Sequence, residues 1–194
     1  MRRLRVGLIL ATLLVLGGCG TTAITPPRAL DPVPVFVLDH GRHTSLVLTA
    51  ADGSLYRYAY GDWRYYAERD TGAWSALAAL FWPTPGALGH RRLPGPPTAE
   101  AVERQVRVAI RALHVLQVER HRAQALHARL KGIIEVSPQR LEVPEVDLVF
   151  VPHPRDYSLA HNSNQAVADW LGELGCAVSR RPVLSGWRID TAPP

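Results

Sequence analysis

The sequence predicts an α+β fold, a small antiparallel sheet packed with helices, and three observations support this prediction. Short apolar runs of strand type follow one another early in the chain, at residues 35–38, 44–49 and 55–60. Helical patterns then dominate residues 98–130, and a strand pattern followed by a helix closes the chain. Strands and helices that are grouped, and do not alternate strictly, are typical of the α+β class.

The early strands predict an antiparallel meander. Asp52 and Gly53 form a turn pair between the second and third runs. In the third run Tyr56, Tyr58 and Tyr60 occupy alternate positions, so they share one face of the predicted sheet. A further strand is predicted at residues 146–151.

Three helices are predicted. The first covers residues 73–82 and stops at the following prolines, after which a loop rich in proline and glycine extends to Pro97. The second has Thr98 as N-cap and extends to Leu130, with or without a break, before a stop at Gly132; its apolar stripe comprises Val102, Val106, Ile110 and Leu113. The last helix covers residues 164–174 and ends at Gly175.

The N-terminus has the pattern of an export signal. Three arginines precede an apolar run at residues 6–15, which is shorter than the roughly 20 residues that span a bilayer. The following Leu16-Gly17-Gly18-Cys19 resembles the lipobox of bacterial lipoproteins, which implies that Cys19 is lipidated and becomes the first residue. A plain signal peptide with an incidental cysteine, or a short membrane anchor, are the alternatives.

The predicted organisation is therefore a signal peptide at 1–18, a proline-rich tether at 19–34 and a single domain at 35–194. The lipid would anchor the domain to a membrane, facing the periplasm. By resemblance to lipoprotein sorting signals, Gly20 after the cysteine favours the outer membrane over the inner one.

Charge and cysteine content exclude some classes of function. Without residues 1–18 and their three arginines, 19 basic residues face 17 acidic ones, a formal charge of +2, which gives no support for a nucleic-acid partner. Cys176 is the only cysteine besides Cys19, so lipidation of Cys19 would preclude an intramolecular disulfide.

Two segments carry residues suited to nucleophilic catalysis. His43 precedes the second predicted strand, and Ser163 lies where the last helix begins. A helix N-terminus stabilises developing negative charge, a histidine accepts the proton, and a carboxylate orients the imidazole. Asp62, just after the third predicted strand, is the best-placed carboxylate.

These segments resemble a family of bacterial proteins, some of them labelled urease-associated. The residues around His43 are similar to its Gly-Trp-His-Thr-Gly motif, residues 60–63 to its Phe-Gly-Trp-Gly-Asp segment, and residues 162–164 to its Asn-Cys-Asn-Thr-Trp motif. A more distant resemblance is to circularly permuted papain-like hydrolases of the NlpC type, in which the strand histidine precedes the cysteine. The resemblance covers residues 35–190 and implies a permuted papain-like arrangement.

The sequence departs from this family at the nucleophile. Ser163 stands where the family has cysteine, and Arg42 where it often has tryptophan. A hydroxyl is far harder to ionise than a thiol, whose pKa is about 8.5, so the simplest interpretation is that the ancestral thiol chemistry is lost. Asn162 and Ser163 are also good N-cap residues, and capping alone would explain them.

Other interpretations of the histidines stay open. His43 could be a buried histidine bonded to backbone, or it could line a cleft. His40, His43, His153 and His161 could bind zinc, but residues three apart on a strand point to opposite faces, so we predict no metal site and no cofactor.

Three functions follow as hypotheses. The first is a catalytically impaired papain-like lipoprotein of the cell envelope that acts as a binding or scaffold protein, with peptidoglycan or an envelope protein as its partner. The second is an active amidase or acyl-transfer enzyme that uses Ser163 with His43. The third is a purely structural envelope lipoprotein without a cleft.

Overall fold

In the computed structural model of the chain, the structure describes residues 21–66 and 83–190. The predicted signal peptide, Cys19 and the predicted helix at 73–82 lie outside the described residues. Among those described, no helix has both the length and the apolar character needed to cross a membrane.

Strands dominate the chain, and seven of them form one antiparallel sheet in the order β6-β2-β3-β4-β5-β8-β7. The predicted meander is present as β2, β3 and β4, and β5 extends it. The sheet is therefore larger than predicted. The strands are β2 (Pro32–Asp39), β3 (Thr44–Thr49), β4 (Leu55–Asp62), β5 (Thr84–Leu93), β6 (Ala112–Glu119), β7 (Leu141–Val143) and β8 (Leu148–Tyr157).

Helices cover both faces of this sheet. A short helix α1 (Trp63–Tyr66) follows β4, and α2 is Ala99–Gln105. The two longer helices, α3 (Arg120–Val136) and α4 (Ser163–Glu173), pack on one face and form the main core with residues such as Leu46, Leu48 and Tyr58. Helix α2 packs on the opposite face in a smaller apolar cluster around Phe36. The start of α4 lies over β3 and β4, which places it close to the strand histidine.

A second, three-stranded sheet shows that the predicted tether is partly folded. Strand β1 (Thr22–Thr25) lies between β10 (Trp187–Ile189) and β9 (Ala177–Val178). Ile24 is fully buried in the main core, and β2 begins within the same predicted tether, at Pro32. The described domain therefore begins at Thr22 and not at Val35, because the apolar residues of this short segment pair with the C-terminal strands.

The predicted helix from Thr98 is wrong beyond its second turn. Thr98 does cap α2, its hydroxyl accepting from the backbone N–H of Ala101 at 3.2 Å, but the backbone is extended at Val106. Residues 112–119 form β6 along the edge of β2, and α3 continues through Gly132 to Val136. The four residues of the predicted apolar stripe do pack in one apolar cluster, although they do not belong to one helix.

Strand β5 lies in the region predicted as a loop. Its glycines are needed because neighbouring groups approach the backbone closely: a side chain at Gly89 would meet the Phe150 ring at 2.7 Å, and one at Gly86 would overlap the Arg155 carbonyl. Close packing, and not a turn, therefore explains these glycines.

Candidate functional site

The fold brings together two of the predicted site residues, His43 and Ser163, which are 120 positions apart in sequence. Nδ1 of His43 lies 3.3 Å from Oγ of Ser163. His43 comes one residue before β3, and Ser163 is the first residue of α4. This is the placement that the sequence predicts, a histidine at a strand start beside a hydroxyl at a helix N-terminus.

Asn162 caps the N-terminus of α4. Its side-chain oxygen accepts the backbone N–H groups of Asn164 and Gln165, at 3.0 and 3.1 Å, so Asn162 is the N-cap. The Ser163 side chain is thereby released from capping and lies at the positive end of the helix dipole, with only 2% of its surface exposed.

Asn164 fixes the position of His43 from both sides. It accepts a hydrogen bond from the Thr44 hydroxyl at 2.7 Å and donates one to the Arg42 carbonyl at 3.0 Å. Trp187 of the small sheet donates to the same Thr44 hydroxyl at 2.8 Å. The residues that flank His43 are therefore tied to α4 and to β10 through buried hydrogen bonds.

The electrostatics around His43 favour its neutral form. Burial, and then the neighbouring His40 and Arg42, lower the pKa of His43 to about 4. The imidazole is therefore uncharged at neutral pH and can accept a proton, but a pKa so far below neutrality makes it a weak base for the Ser163 hydroxyl.

Both carboxylate oxygens of Asp62 accept hydrogen bonds from residues other than His43. One of its oxygens accepts the backbone N–H of Tyr65 at 2.7 Å, and the other accepts the hydroxyl of Thr84. These bonds join α1 to the start of β5. Within the described part of the chain, the hydrogen bonds of Asp62 therefore do not include the predicted orienting contact with His43.

A cavity of about 120 Å³ opens beside His43. Most of its lining surface is apolar and includes Val146 and Phe150, and the hydrogen-bonded group of His40, Ser45 and Arg57 also lines it. Ser45 and Arg57 are not among the site residues that the sequence predicts. The signal was present: Arg57 alternates with the inward-facing tyrosines of β4, which places an arginine on the opposite, covered face of a central strand.

The four histidines considered for zinc are divided between two cavities. His40 and His43 line the first, and His153 and His161 line a second one of about 410 Å³. Tyr60 lies between the two, its ring 5.0 Å from His153 and 4.8 Å from His161. Across residues 21–66 and 83–190, no group of three or more His, Cys, Asp or Glu side chains is placed to hold a metal ion.

Comparison of the chain with protein-family models, with curated proteins and with solved structures gives no match.

Proposed function

We propose that the protein is a lipid-anchored cell-envelope protein with a permuted papain-like (NlpC-type) arrangement, which binds its ligand beside His43 and Ser163 without turning it over. The observation that carries this proposal is the 3.3 Å contact between Nδ1 of His43 and Oγ of Ser163. It joins a strand histidine to a helix N-terminus in the order that the resemblance implies. The cavity beside His43 supports a binding role over a purely structural one.

Two features argue against turnover. A serine needs a well-aligned general base and stabilisation of the oxyanion, whereas a helix N-terminus and a histidine suffice to activate a thiol. Asp62, the candidate orienting carboxylate, is bound to Tyr65 and Thr84.

A second function, amide hydrolysis or acyl transfer by Ser163, is favoured by the contact of Ser163 with His43, whose imidazole is uncharged at neutral pH. At neutral pH the uncharged Nδ1 would take the hydroxyl proton while Oγ of Ser163 forms a bond to the substrate carbonyl carbon. The histidine would then return that proton to the leaving group as the bond to it breaks.

A serine-directed probe separates the two functions. Purified wild-type protein, a Ser163→Ala variant and a His43→Ala variant are incubated with a fluorophosphonate at neutral pH, and labelling is followed by mass spectrometry. We expect the wild type to be labelled no faster than Ser163→Ala. Rapid labelling of Ser163 that is lost in His43→Ala would overturn the proposal and establish the second function.

The lipid anchor is tested separately. Cells fed labelled palmitate should label the wild-type protein and leave a Cys19→Ser variant unlabelled, because Cys19 is the proposed acceptor. The variant should also leave the membrane fraction. Equal labelling of both proteins would disprove the anchor.

A further inference from the structure

Arg57 is a buried positive charge with no acidic partner among the residues that the structure describes. Only 3% of its surface is exposed, and it lines the cavity beside His43. Nε donates to the Ser45 hydroxyl at 3.1 Å, Nη1 to the Val146 carbonyl at 3.2 Å and Nη2 to Nε2 of His40 at 3.3 Å. Among the described residues no carboxylate forms an ion pair with it, whereas Arg91, Arg120 and Arg129 each have one.

The neighbours of Arg57 do not neutralise its charge. Nδ1 of His40 lies 2.8 Å from the Ala109 carbonyl, which can only accept, so Nδ1 carries the hydrogen. The lowered pKa of His40, caused mainly by burial, keeps its ring neutral, and Nε2 accepts from Ser45 and Arg57. Burial and the positive charge of Arg91 lower the pKa of Arg57 to about 10, so it remains charged at neutral pH.

An isolated buried charge is costly unless a partner of opposite charge is supplied. A guanidinium has five N–H groups. The three hydrogen bonds above use the Nε–H group and one N–H group on each of Nη1 and Nη2. One N–H group on Nη1 and one on Nη2 therefore have no partner in the described chain. Two such donors match the two oxygens of one planar carboxylate. Within the described part of the chain, Arg57 thus lacks one singly charged anionic group that would accept these two hydrogen bonds.

We propose that this cavity binds a small carboxylate group through Arg57, an inference that rests on the proposed ligand-binding function. The volume of about 120 Å³ and the apolar wall formed by Val108, Val146 and Phe150 fit a carboxylate on a short alkyl group. Such a group is presented by a small free acid or by the C-terminal residue of a peptide with a small side chain. His43 lines the same cavity and contacts Ser163, so a peptide ligand bound here would lie beside the candidate pair.

Titration calorimetry with four probes tests the inference. Isobutyrate represents a free acid and N-acetyl-Ala-Ala represents a peptide terminus, and each is compared with its neutral amide. We expect at least one acid to bind wild-type protein at least tenfold more tightly than its amide, because the amide cannot neutralise Arg57. Preference for N-acetyl-Ala-Ala over isobutyrate identifies a peptide ligand, and the reverse a free acid.

Matched variants assign the binding to Arg57. Arg57→Gln should weaken binding of the acid at least tenfold, whereas Arg92→Gln, which removes the same charge from an exposed position on β5, should leave it unchanged. Because Arg57→Gln can disturb folding, the comparison of acid with amide on wild-type protein decides independently. Equal affinity for acid and amide, or no binding of either acid, would overturn the carboxylate inference.

The two proposals fail in different ways. If the wild-type protein binds acid and amide equally while Ser163 stays unreactive to fluorophosphonate, only the carboxylate inference is overturned. Fast fluorophosphonate labelling with the acid preference intact overturns only the absence of turnover and leaves the carboxylate site in place.

Discussion

Asn162, and not Ser163, is the residue whose side chain satisfies the free N–H groups at the start of α4. Replacing a side-chain N-cap with alanine typically costs about 1 kcal/mol. We expect Asn162→Ala to lower the free energy of unfolding by about that amount or more, since its amide also donates to the Val183 carbonyl at 3.0 Å. The measurement is the unfolding midpoint in urea, with Ser163→Ala as the matched control. A larger loss in Ser163→Ala would reverse the assignment of the cap.

A thiol introduced at Ser163 should be reactive. Ser163→Cys would place the sulfur at a helix N-terminus and beside the imidazole of His43, both of which favour the thiolate. The internal reference is Cys176, which is 6% exposed and whose pKa is raised to about 11 by burial. We expect iodoacetamide at neutral pH to modify the introduced thiol faster than Cys176, as peptide mapping by mass spectrometry would show.

The contribution of His43 to that reactivity is measured in the same way. Adding His43→Ala to Ser163→Cys should remove most of the rate advantage over Cys176. An introduced thiol that reacts no faster than Cys176 would contradict the papain-like geometry. An unchanged rate without His43 would assign the activation to the helix N-terminus alone.

At the residue scale, local sequence patterns located the pair His43 and Ser163 but not its surroundings. A histidine before a strand and a serine before a helix are visible in short segments of sequence. The partners of Asp62 were not, because Thr84 lies in a strand that was predicted as a loop. Arg57 was missed for a related reason: its burial depends on α2 and on the loop before β8, which cover that face of β4.

Strand β1 is the most important difference between the predicted and the observed elements, because it contributes to the core where the sequence predicts a tether. Ile24 is fully buried in the main core, although it lies in the predicted tether, and Leu30 of the same segment is 90% exposed. Ile24→Ala should therefore lower the free energy of unfolding by about 2–5 kcal/mol, and Leu30→Ala should change it by less than about 0.5 kcal/mol. Thermal or urea unfolding of the two variants measures the difference. A mobile tether would give two small and equal effects.

Strands β5 and β6 explain why the remaining elements were hard to predict. In β5, glycine and proline give a loop-like composition, but the requirement for Gly86 and Gly89 comes from groups on β4 and β8 that are distant in sequence. Leu113 of β6 is the last member of an apolar stripe whose spacing of three and four matched a helix, yet pairing with all eight residues of β2 decided the conformation. Long-range pairing thus overrode local pattern in both strands.

In the whole molecule, the folded domain begins only a few residues after Cys19, which determines how far the domain would lie from the proposed lipid anchor. Only Gly20 and Thr21 separate Cys19 from β1, so the anchor and the first strand are at most about 10 Å apart. The small sheet that contains β1 also contains Trp187, which bonds to Thr44 next to His43. A lipidated protein would therefore hold its candidate site close to the membrane surface and not on a long tether.

The histidines together make the stability of the whole domain sensitive to acid. Seven of them have a lowered pKa, and burial is the main cause in each. The pKa falls to about 4 for His43 and His161. It is also lowered for His40, His90, His114, His127 and His153. In the unfolded chain a histidine titrates near 6.5. Between these values the unfolded state binds more protons than the folded one, so stability rises with pH and is lost as the pH falls below about 6.5.

We therefore expect the urea midpoint to fall steadily from pH 7.5 to pH 5, above the range in which ordinary carboxylates titrate. For His43 alone, a pKa of about 4 corresponds to a loss of about 2 kcal/mol at pH 5. His43→Gln cannot be protonated, so it should lose less stability over this range than the wild type, whatever its stability at pH 7.5. Urea unfolding of both proteins at several pH values measures the two slopes. Equal slopes would mean that the fold does not lower the pKa of His43, which would contradict its burial as the cause of the acid sensitivity.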